Sequence, residues 1–338
     1  MRPLAAWAGA AWLMASGAAA GPRVLSLDQC ADQYVLALAP RADIVGLSTR
    51  ALNYDSYLKA QARGLPQRRT TAESALAAAP NVVVRYWGGD ARLVADLERR
   101  GVRVLTIDDA VDFPGVRADI RKVAAGLGEH AAGERLIAGM DAKLAAAAGA
   151  GRGRGIYYLT SGGDTLGSGT LIDAMIAAAG FANLAPHAGY GVISLERLLL
   201  DPPALFVLGF FDDTLDANER WSVGREAALR RLVARRASVS LPSAVLGCPA
   251  WFVANGTASL AVWARAHPRG DCSSSWRWPS SPAWPWRSAS ARPGSRRRNM
   301  ARPSPRPARR RRRSCGVCAC PAPARRRWWG RNWAWPAR

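Results

Sequence analysis

Histidine is scarce in this sequence, with only His130, His187 and His267 among 338 residues. They fall far apart, in a predicted helix end, a loop and the C-terminal region. A histidine-based catalytic pair or a site for a bare metal ion is therefore poorly supported. The glycine-rich stretch SGGDTLGSGT, residues 161–170, lacks the Gly-Lys-Ser/Thr ending that places a lysine on phosphates. It is predicted as a flexible strand-to-helix turn with Thr170 as the helix cap, and the segment that leads up to Val192 is predicted as a loop. The sequence predicts no enzyme and no resident cofactor.

The C-terminal region lacks the residues that build a core. After Asp271 there is no Leu, Ile, Phe or Tyr and no acidic residue, and Val317 is the one β-branched aliphatic residue. The same 67 residues hold 18 arginines, eight of the 14 tryptophans and four of the six cysteines. Residues 1–271 carry 29 basic and 25 acidic side chains, so most of the net charge of +22 belongs to this tail. We expect residues 269–338 to be disordered.

The tryptophans of the tail also constrain the DNA beneath them, because tryptophan has a single codon. Read one nucleotide earlier, residues 328–335 (WWGRNWAW) give a mostly apolar segment typical of a membrane helix. Our hypothesis is a frameshift near residue 270. Two alternatives remain: an arginine-rich tail that binds nucleic acid or a membrane surface, and a zinc site at Cys315, Cys318 and Cys320, for which no fourth ligand follows.

The N-terminus has the composition of a secretory signal peptide. One arginine precedes an apolar run from Leu4 to Met14, and a run of alanines, Ala18–Ala20, follows. We expect residues 1–20 to be cleaved and the remainder to be exported into an oxidising compartment. The rest of the chain before the tail contains only Cys30 and Cys248, and the sequence leaves open whether they form a disulfide.

The central part of the chain alternates between strand and helix patterns. Residues 21–112 contain strand candidates such as RVLSL, DIVGLS and NVVVRY, separated by amphipathic helices, and residues 149–268 repeat this order. Residues 113–148 are helical by pattern, with a break expected at Gly126–Gly128. The prediction is an α/β fold of two lobes, each a helix-covered, mostly parallel sheet, joined by a long helical segment.

Four stretches resemble a known family. They are VLSLDQCADQYVLAL, AESALAAAPNVVVRYWGGDARLVADLERRGVRVLTID, GSGTLIDAMIAAAGFANLA and ISLERLLLDPPALFVLG. Together and in this order they resemble the periplasmic substrate-binding proteins of ABC importers for ferric siderophores, haem and cobalamin. The resemblance covers about residues 23–265 and implies two α/β lobes bridged by a rigid helix. It also implies a monomer that binds a metal chelate, hands it to an inner-membrane permease and binds no nucleic acid.

The resemblance implies roles for individual residues. Glu73 in TAESAL and Glu196 in SLERLL stand where the family docks on its permease, although a glutamate in a first helical turn also suits the helix dipole. Aromatic and basic side chains in loops at strand ends are expected to line the ligand cleft: Tyr86, Trp87, Tyr190, Phe210, Phe211, Trp251, Tyr54, Arg50 and Arg69. A frameshift would also shorten the last helix of the second lobe, which begins at GTASLAVWARA.

Overall fold

A computed structural model of the protein describes residues 21–212 and 227–268. The predicted signal peptide, residues 1–20, and the tail, residues 269–338, lie outside the described residues. The frameshift, the nucleic-acid tail and the zinc hypothesis therefore stay predictions.

The first lobe is a five-stranded parallel sheet with the strand order β3-β2-β1-β4-β5. Its strands are β1 (Val24–Ser26), β2 (Ile44–Ser48), β3 (Gln67–Arg68), β4 (Val82–Tyr86) and β5 (Arg103–Ile107). Its helices are α1 (Gln29–Leu38), α2 (Lys59–Ala62), α3 (Ala72–Ala77) and α4 (Ala91–Arg99). Three of these helices begin at polar caps: Asp28, Thr71 and Asp90 each accept a hydrogen bond from the first turn of α1, α3 and α4.

The second lobe has a four-stranded parallel sheet with the order β11-β10-β6-β8. These strands are β6 (Gly155–Thr160), β8 (Ala182–Asn183), β10 (Leu205–Gly209) and β11 (Ala237–Leu241). The helices are α7 (Leu171–Ala178), α8 (Leu195–Leu200), α9 (Ala227–Ala234), α10 (Ser243–Leu246) and α11 (Ala254–Ala266). The α/β class and the parallel pairing agree with the prediction.

The glycine-rich stretch that was predicted as a flexible loop contains a strand. β7 (Asp164–Leu166) pairs antiparallel with β9 (Tyr190–Val192), which lies in a segment also predicted as loop. The prediction of a plain loop was wrong because the short strands carry no alternating apolar pattern, and a hairpin-like pairing over 24 residues is non-local. The predicted cap is confirmed, since the Thr170 side chain accepts a hydrogen bond from Asp173 N.

The linking segment is two helices, α5 (Phe113–Leu127) and α6 (His130–Ala147). Gly128 ends α5 in the left-handed conformation, with φ of 80°, so the chain breaks inside the region expected from the sequence. The helices then pack side by side: Arg117 pairs with Asp141, and a Cβ on Gly133 would lie 2.6 Å from the Ala124 Cβ. The link is therefore a helical hairpin, and Gly133 permits its close packing.

The last described helix, α11, ends at Ala266 and is held there by contacts with the second lobe. The Arg154 guanidinium donates to the carbonyl oxygens of Ala264 and His267, and it lies 5.2 Å from the centre of the Trp263 ring. These contacts satisfy carbonyls that a helix end leaves without partners. The expected shortening of this helix concerns residues after 268, which lie outside the described residues, and it stays a prediction.

Within residues 21–212 and 227–268, no helix is both long enough and apolar enough to cross a bilayer.

Candidate ligand-binding cleft

A cleft of about 530 Å³ lies where the carboxyl ends of strands from both lobes meet. Most of its wall comes from the first lobe and the remainder from Phe210 and Gly247 of the second. The first-lobe residues are Leu27, Asp28, Gln29, Cys30, Ser48, Thr49, Arg50, Asp55, Thr70 and Tyr86. The volume is that of a small-molecule site, and the carboxyl edge of a parallel sheet is where such ligands bind.

Asp28 organises the first-lobe wall. Its Oδ1 accepts from Ala31 N at 2.9 Å and caps α1, while its Oδ2 accepts from Tyr86 N at 2.7 Å at the end of β4. One carboxylate thus joins the ends of β1 and β4 to the start of α1. Both oxygens of Asp28 are occupied by protein donors, so we assign it a positioning role.

A buried carboxylate lies beneath the same wall. Asp32 is fully buried and accepts hydrogen bonds from Ser48 N at 2.9 Å and Ser48 Oγ at 2.6 Å. Burial raises the pKa of the Asp32 carboxyl to about 6, although the hydrogen bonds from Ser48 act in the opposite direction. Asp32 holds the end of β2 in position, and it does so with a carboxyl that titrates near neutral pH.

Tyr86 presents a neutral phenol to the cleft. Partial burial raises its pKa above the ordinary tyrosine value, and the hydrogen bond that its hydroxyl donates to Asp109 raises the pKa further. The neighbouring Trp87 ring is 54% exposed, and the centres of the two rings are 6.0 Å apart in an edge arrangement. The pair therefore offers aromatic surface at the end of β4, with the hydroxyl already engaged.

Phe210 enters the cleft from the second lobe through an unusual backbone. It follows the last residue of β10 and has φ of 62°, in the left-handed region that costs a non-glycine residue about 1–2 kcal/mol. The residue before it has no room for a side chain, because a Cβ on Gly209 would lie 2.2 Å from the Tyr158 hydroxyl. Strained backbone that persists at a ligand cleft is typical of functional positions.

The floor of the cleft is joined covalently across the two lobes. Cys30 in the first turn of α1 forms a disulfide with Cys248, 218 residues later. Next to it, Tyr34 Oη donates to Pro249 O at 3.0 Å, and the Tyr34 ring meets the Trp251 ring edge-on at 5.3 Å. The sequence left open whether Cys30 and Cys248 form a disulfide; the structure contains this disulfide, and it links the two lobes.

Two further contacts continue this junction. The rings of Tyr57 and Phe252 stack at 4.3 Å, and Asn255 donates to the Tyr57 hydroxyl at 2.8 Å. One hydrophobic cluster contains buried side chains from both lobes, among them Tyr34, Trp251 and Phe252. The base of the cleft is therefore core-like.

The structure brings together only some of the predicted cleft residues. Arg50, Tyr86 and Phe210 line the cleft. The predicted role of Trp251 was wrong: its side chain is only 7% exposed and packs in the core, because the turn that carries it (Trp251–Val253) is folded against α1.

The remaining predicted cleft residues do not line the cleft. Trp87, Arg69 and Phe211 each adjoin a lining residue in sequence, and all three are exposed. Tyr54 is 38% exposed, and Tyr190 is 67% exposed on β9. Their roles in ligand binding stay predictions.

Both predicted docking residues lie on short helices at the molecular surface. Glu73 is in the first turn of α3 and Glu196 in the first turn of α8, and both side chains are exposed. Each helix follows a serine or threonine cap, Thr71 or Ser194. The two lobes thus present the same local arrangement, which leaves the docking role a prediction.

Sequence reasoning missed several lining residues. Asp28, Ser48, Thr49 and Thr70 directly follow or end strands of the first sheet. The strand-end rule that selected Tyr86 would have found them, but only aromatic and basic side chains were considered. Within the described residues, no group of three or more His, Cys, Asp and Glu side chains could hold a metal ion.

Comparison with known proteins gives structural matches only. Neither a protein-family model nor a curated protein matches the sequence. The periplasmic haem-binding protein RhuT from Roseiflexus sp. RS-1 matches with a TM-score of 0.59 and 23% identity, over 74% of this chain and 100% of that chain. The ABC-type Fe3+-hydroxamate transport system protein from Saccharomonospora viridis DSM 43017 matches with a TM-score of 0.52 and 18% identity, over 73% and 93%.

A third neighbour is the periplasmic vitamin B12 binding protein BtuF of Vibrio cholerae, with a TM-score of 0.50 and 16% identity, over 73% of this chain and 98% of that chain. Two of these neighbours are periplasmic binding proteins, and the third belongs to an ABC-type transport system. At these identities the likeness establishes the fold. The chain therefore has the two-lobed fold of the periplasmic substrate-binding proteins of ABC importers.

Proposed function

We propose that this protein is an exported, periplasmic substrate-binding protein that captures a metal chelate in the cleft and delivers it to an ABC importer in the inner membrane. The observation that carries the proposal is the cleft itself, which is built from strand ends of both lobes. The fold is shared with binding proteins for haem, vitamin B12 and ferric hydroxamates. The chelate is the cargo, and no group of metal-binding side chains is needed to hold it.

The lining favours a ligand with both flat apolar and anionic parts. Tyr86 and Phe210 supply aromatic surface from the two lobes, and Arg50 supplies a guanidinium that is 61% exposed. Arg50 already contacts Asp55 at 3.3 Å, and the Asp55 Oδ1 is buried without a partner among the described residues. A ligand carboxylate would bind Arg50, and a ligand hydroxyl would donate to Asp55. Haem, cobalamin and aryl siderophores are the chelate classes that we consider for this lining.

Ligand binding is tested by equilibrium dialysis of the full chain against haem, cobalamin and ferric siderophores, followed by visible absorbance of the ligand. We expect saturable binding of one class at micromolar concentration or tighter. Stacking contributes about 0.5–1.5 kcal/mol per ring beyond the buried area. Phe210→Ala should therefore weaken binding several-fold, and Phe210→Ala with Tyr86→Ala should weaken it further.

The matched control is Val262→Ala, an exposed apolar residue on α11 outside the cleft lining. It should leave the dissociation constant unchanged. Binding of no chelate by a folded protein would refute the ligand class, and equal affinity of the double variant would refute the cleft assignment.

Delivery is tested through the two glutamates. If Glu73 and Glu196 dock on the permease, Glu73→Arg with Glu196→Arg should abolish uptake and leave chelate affinity within about twofold, because both lie outside the cleft lining. Glu98→Arg, at an exposed position on α4, is the control and should transport normally. Normal uptake by the double variant would contradict the docking role.

A further inference from the structure

The outer surface of the second lobe carries a basic and apolar patch that the cleft does not explain. α8 and α9 lie together on one face of the second sheet, because Leu198 and Leu229 are buried in the same cluster as Phe206. The sides of both helices that face away from this cluster form one surface. We call it the α8–α9 surface.

The apolar part of the α8–α9 surface is on α8. Leu200 is 86% exposed and Leu199 is 48% exposed, and they follow Glu196 by four and three residues. Residues at these spacings lie on the same side of a helix. The corresponding helix of the first lobe, α3, carries no exposed large apolar side chain, so this feature is specific to the second lobe.

The basic part is on α9 and its C-terminal end. Arg230, Arg231, Arg235 and Arg236 are all exposed, and Arg197 on α8 is exposed too. Within the described residues none of these arginines forms an ion pair. Residues 195–201 and 227–236 contain these five arginines and two acidic residues, Glu196 and Asp201, which gives a local net charge of +3.

We propose that the α8–α9 surface binds the surface of an anionic phospholipid bilayer, with the arginines at the headgroups and Leu199 and Leu200 in the interfacial region. Exposed leucines flanked by arginines are the composition of interfacial segments, and each arginine near an anionic leaflet contributes about fivefold to binding. The two exposed leucines favour a lipid surface over a purely acidic protein surface, which would pair with the arginines alone.

The inference rests on the proposed function, because docking of the second lobe on a permease would bring α8 and the neighbouring α9 to the membrane surface. Leu200 lies about one helical turn from Glu196, which is a rise of about 6 Å. A contact with the bilayer would concentrate the loaded protein at the membrane and bring Glu196 close to a permease. Binding to permease-free vesicles does not depend on that docking, so the two ideas can fail separately.

The test is hydrogen exchange measured by mass spectrometry on the full chain, with vesicles of phosphatidylglycerol and phosphatidylcholine, and with vesicles of phosphatidylcholine alone. We expect peptides from residues 195–201 and 227–236 to become protected only on the anionic vesicles. The arginine-rich tail will itself bind anionic vesicles, so the localised protection, and not total binding, is the measured quantity.

The variant replaces Arg230, Arg231, Arg235 and Arg236 with Gln, which keeps the helix length and removes the charge. The control replaces four exposed arginines of other surfaces with Gln: Arg92, Arg100, Arg103 and Arg135. Both variants keep the tail and have the same net charge.

We expect protection of α8 and α9 to disappear in the first variant and to persist in the second. Three outcomes would overturn the proposal: no protection on anionic vesicles, equal loss in both variants, or protection only when a purified permease is present. The last outcome would assign the surface to a protein partner. If the Glu73→Arg/Glu196→Arg variant loses uptake but keeps the protection of α8 and α9 on anionic vesicles, both the docking role of the glutamates and the bilayer contact are supported.

Discussion

Removal of the disulfide between Cys30 and Cys248 is predicted to lower the thermal stability of the folded protein. The bond closes a loop of 218 residues and joins α1 to the segment before Trp251 at the base of the cleft. In the chain-entropy description a loop of this length stabilises the folded state by about 5 kcal/mol, and removal of a native disulfide commonly costs about 2–5 kcal/mol. For a domain of this size each kcal/mol lowers Tm by roughly 2–4 °C.

The Cys30→Ser/Cys248→Ser variant should therefore melt roughly 5–15 °C lower than the parent. The measurement is thermal unfolding followed by far-ultraviolet circular dichroism, with and without reductant. The two serines are close in size to the cysteines, so the hydrophobic junction of Tyr34 with Trp251 should persist. Tm of the variant should not respond to reductant.

The four cysteines of the tail complicate this experiment. Cys272, Cys315, Cys318 and Cys320 must be replaced with Ser in both proteins, so that the reductant acts only on the pair in question. Peptide mapping without reduction should then recover a cross-linked pair from α1 and the segment before Trp251. Equal Tm values of the parent with and without reductant, together with no cross-linked peptide, would refute the interlobe disulfide.

Two further predictions concern buried side chains. Burial raises the pKa of the Asp32 carboxyl from 3.8 to about 6, so the folded state binds this proton more tightly than the unfolded state does. The free energy of unfolding should therefore fall by about 3 kcal/mol as the pH rises from 4 through 6. Asp32→Asn should remove this dependence in urea unfolding between pH 4 and 8; a loss that persists in the variant would contradict the assignment. Trp251→Ala should lower the free energy of unfolding by about 3–5 kcal/mol, because the ring is buried in the core. Trp87→Ala should change the free energy of unfolding by less than about 0.5 kcal/mol, because that ring is exposed. Equal urea midpoints for these two variants would contradict the placement of Trp251.

The alternation of strands and helices could be read from the sequence because local patterns determine it. Residues such as Val82–Tyr86 and the capped helix after Asp90 carry their own signals, namely a buried apolar run and a polar cap. Gly128 likewise marks the end of α5, since a left-handed residue at a helix end favours glycine. These features depend on near neighbours in the chain.

The cleft was predicted only in part because burial depends on distant contacts. Trp251 and Phe210 are both large rings in segments that follow strands or turns, and the sequence does not distinguish them. Trp251 is buried because the chain before it is joined to α1 through Cys248 and the Tyr34 hydrogen bond to Pro249. Those contacts cross more than 200 residues, and no local pattern reports them.

The sequence by itself determined the alternation of strands and helices in the two α/β lobes and the lack of core-building residues in the tail, since composition and short-range periodicity specify these. Only the tertiary structure decided that Cys30 meets Cys248. It also decided that Asp28 holds the end of β4 and that α8 packs beside α9. The physical reason is that parallel sheets bring together strand ends and helices that are far apart along the chain.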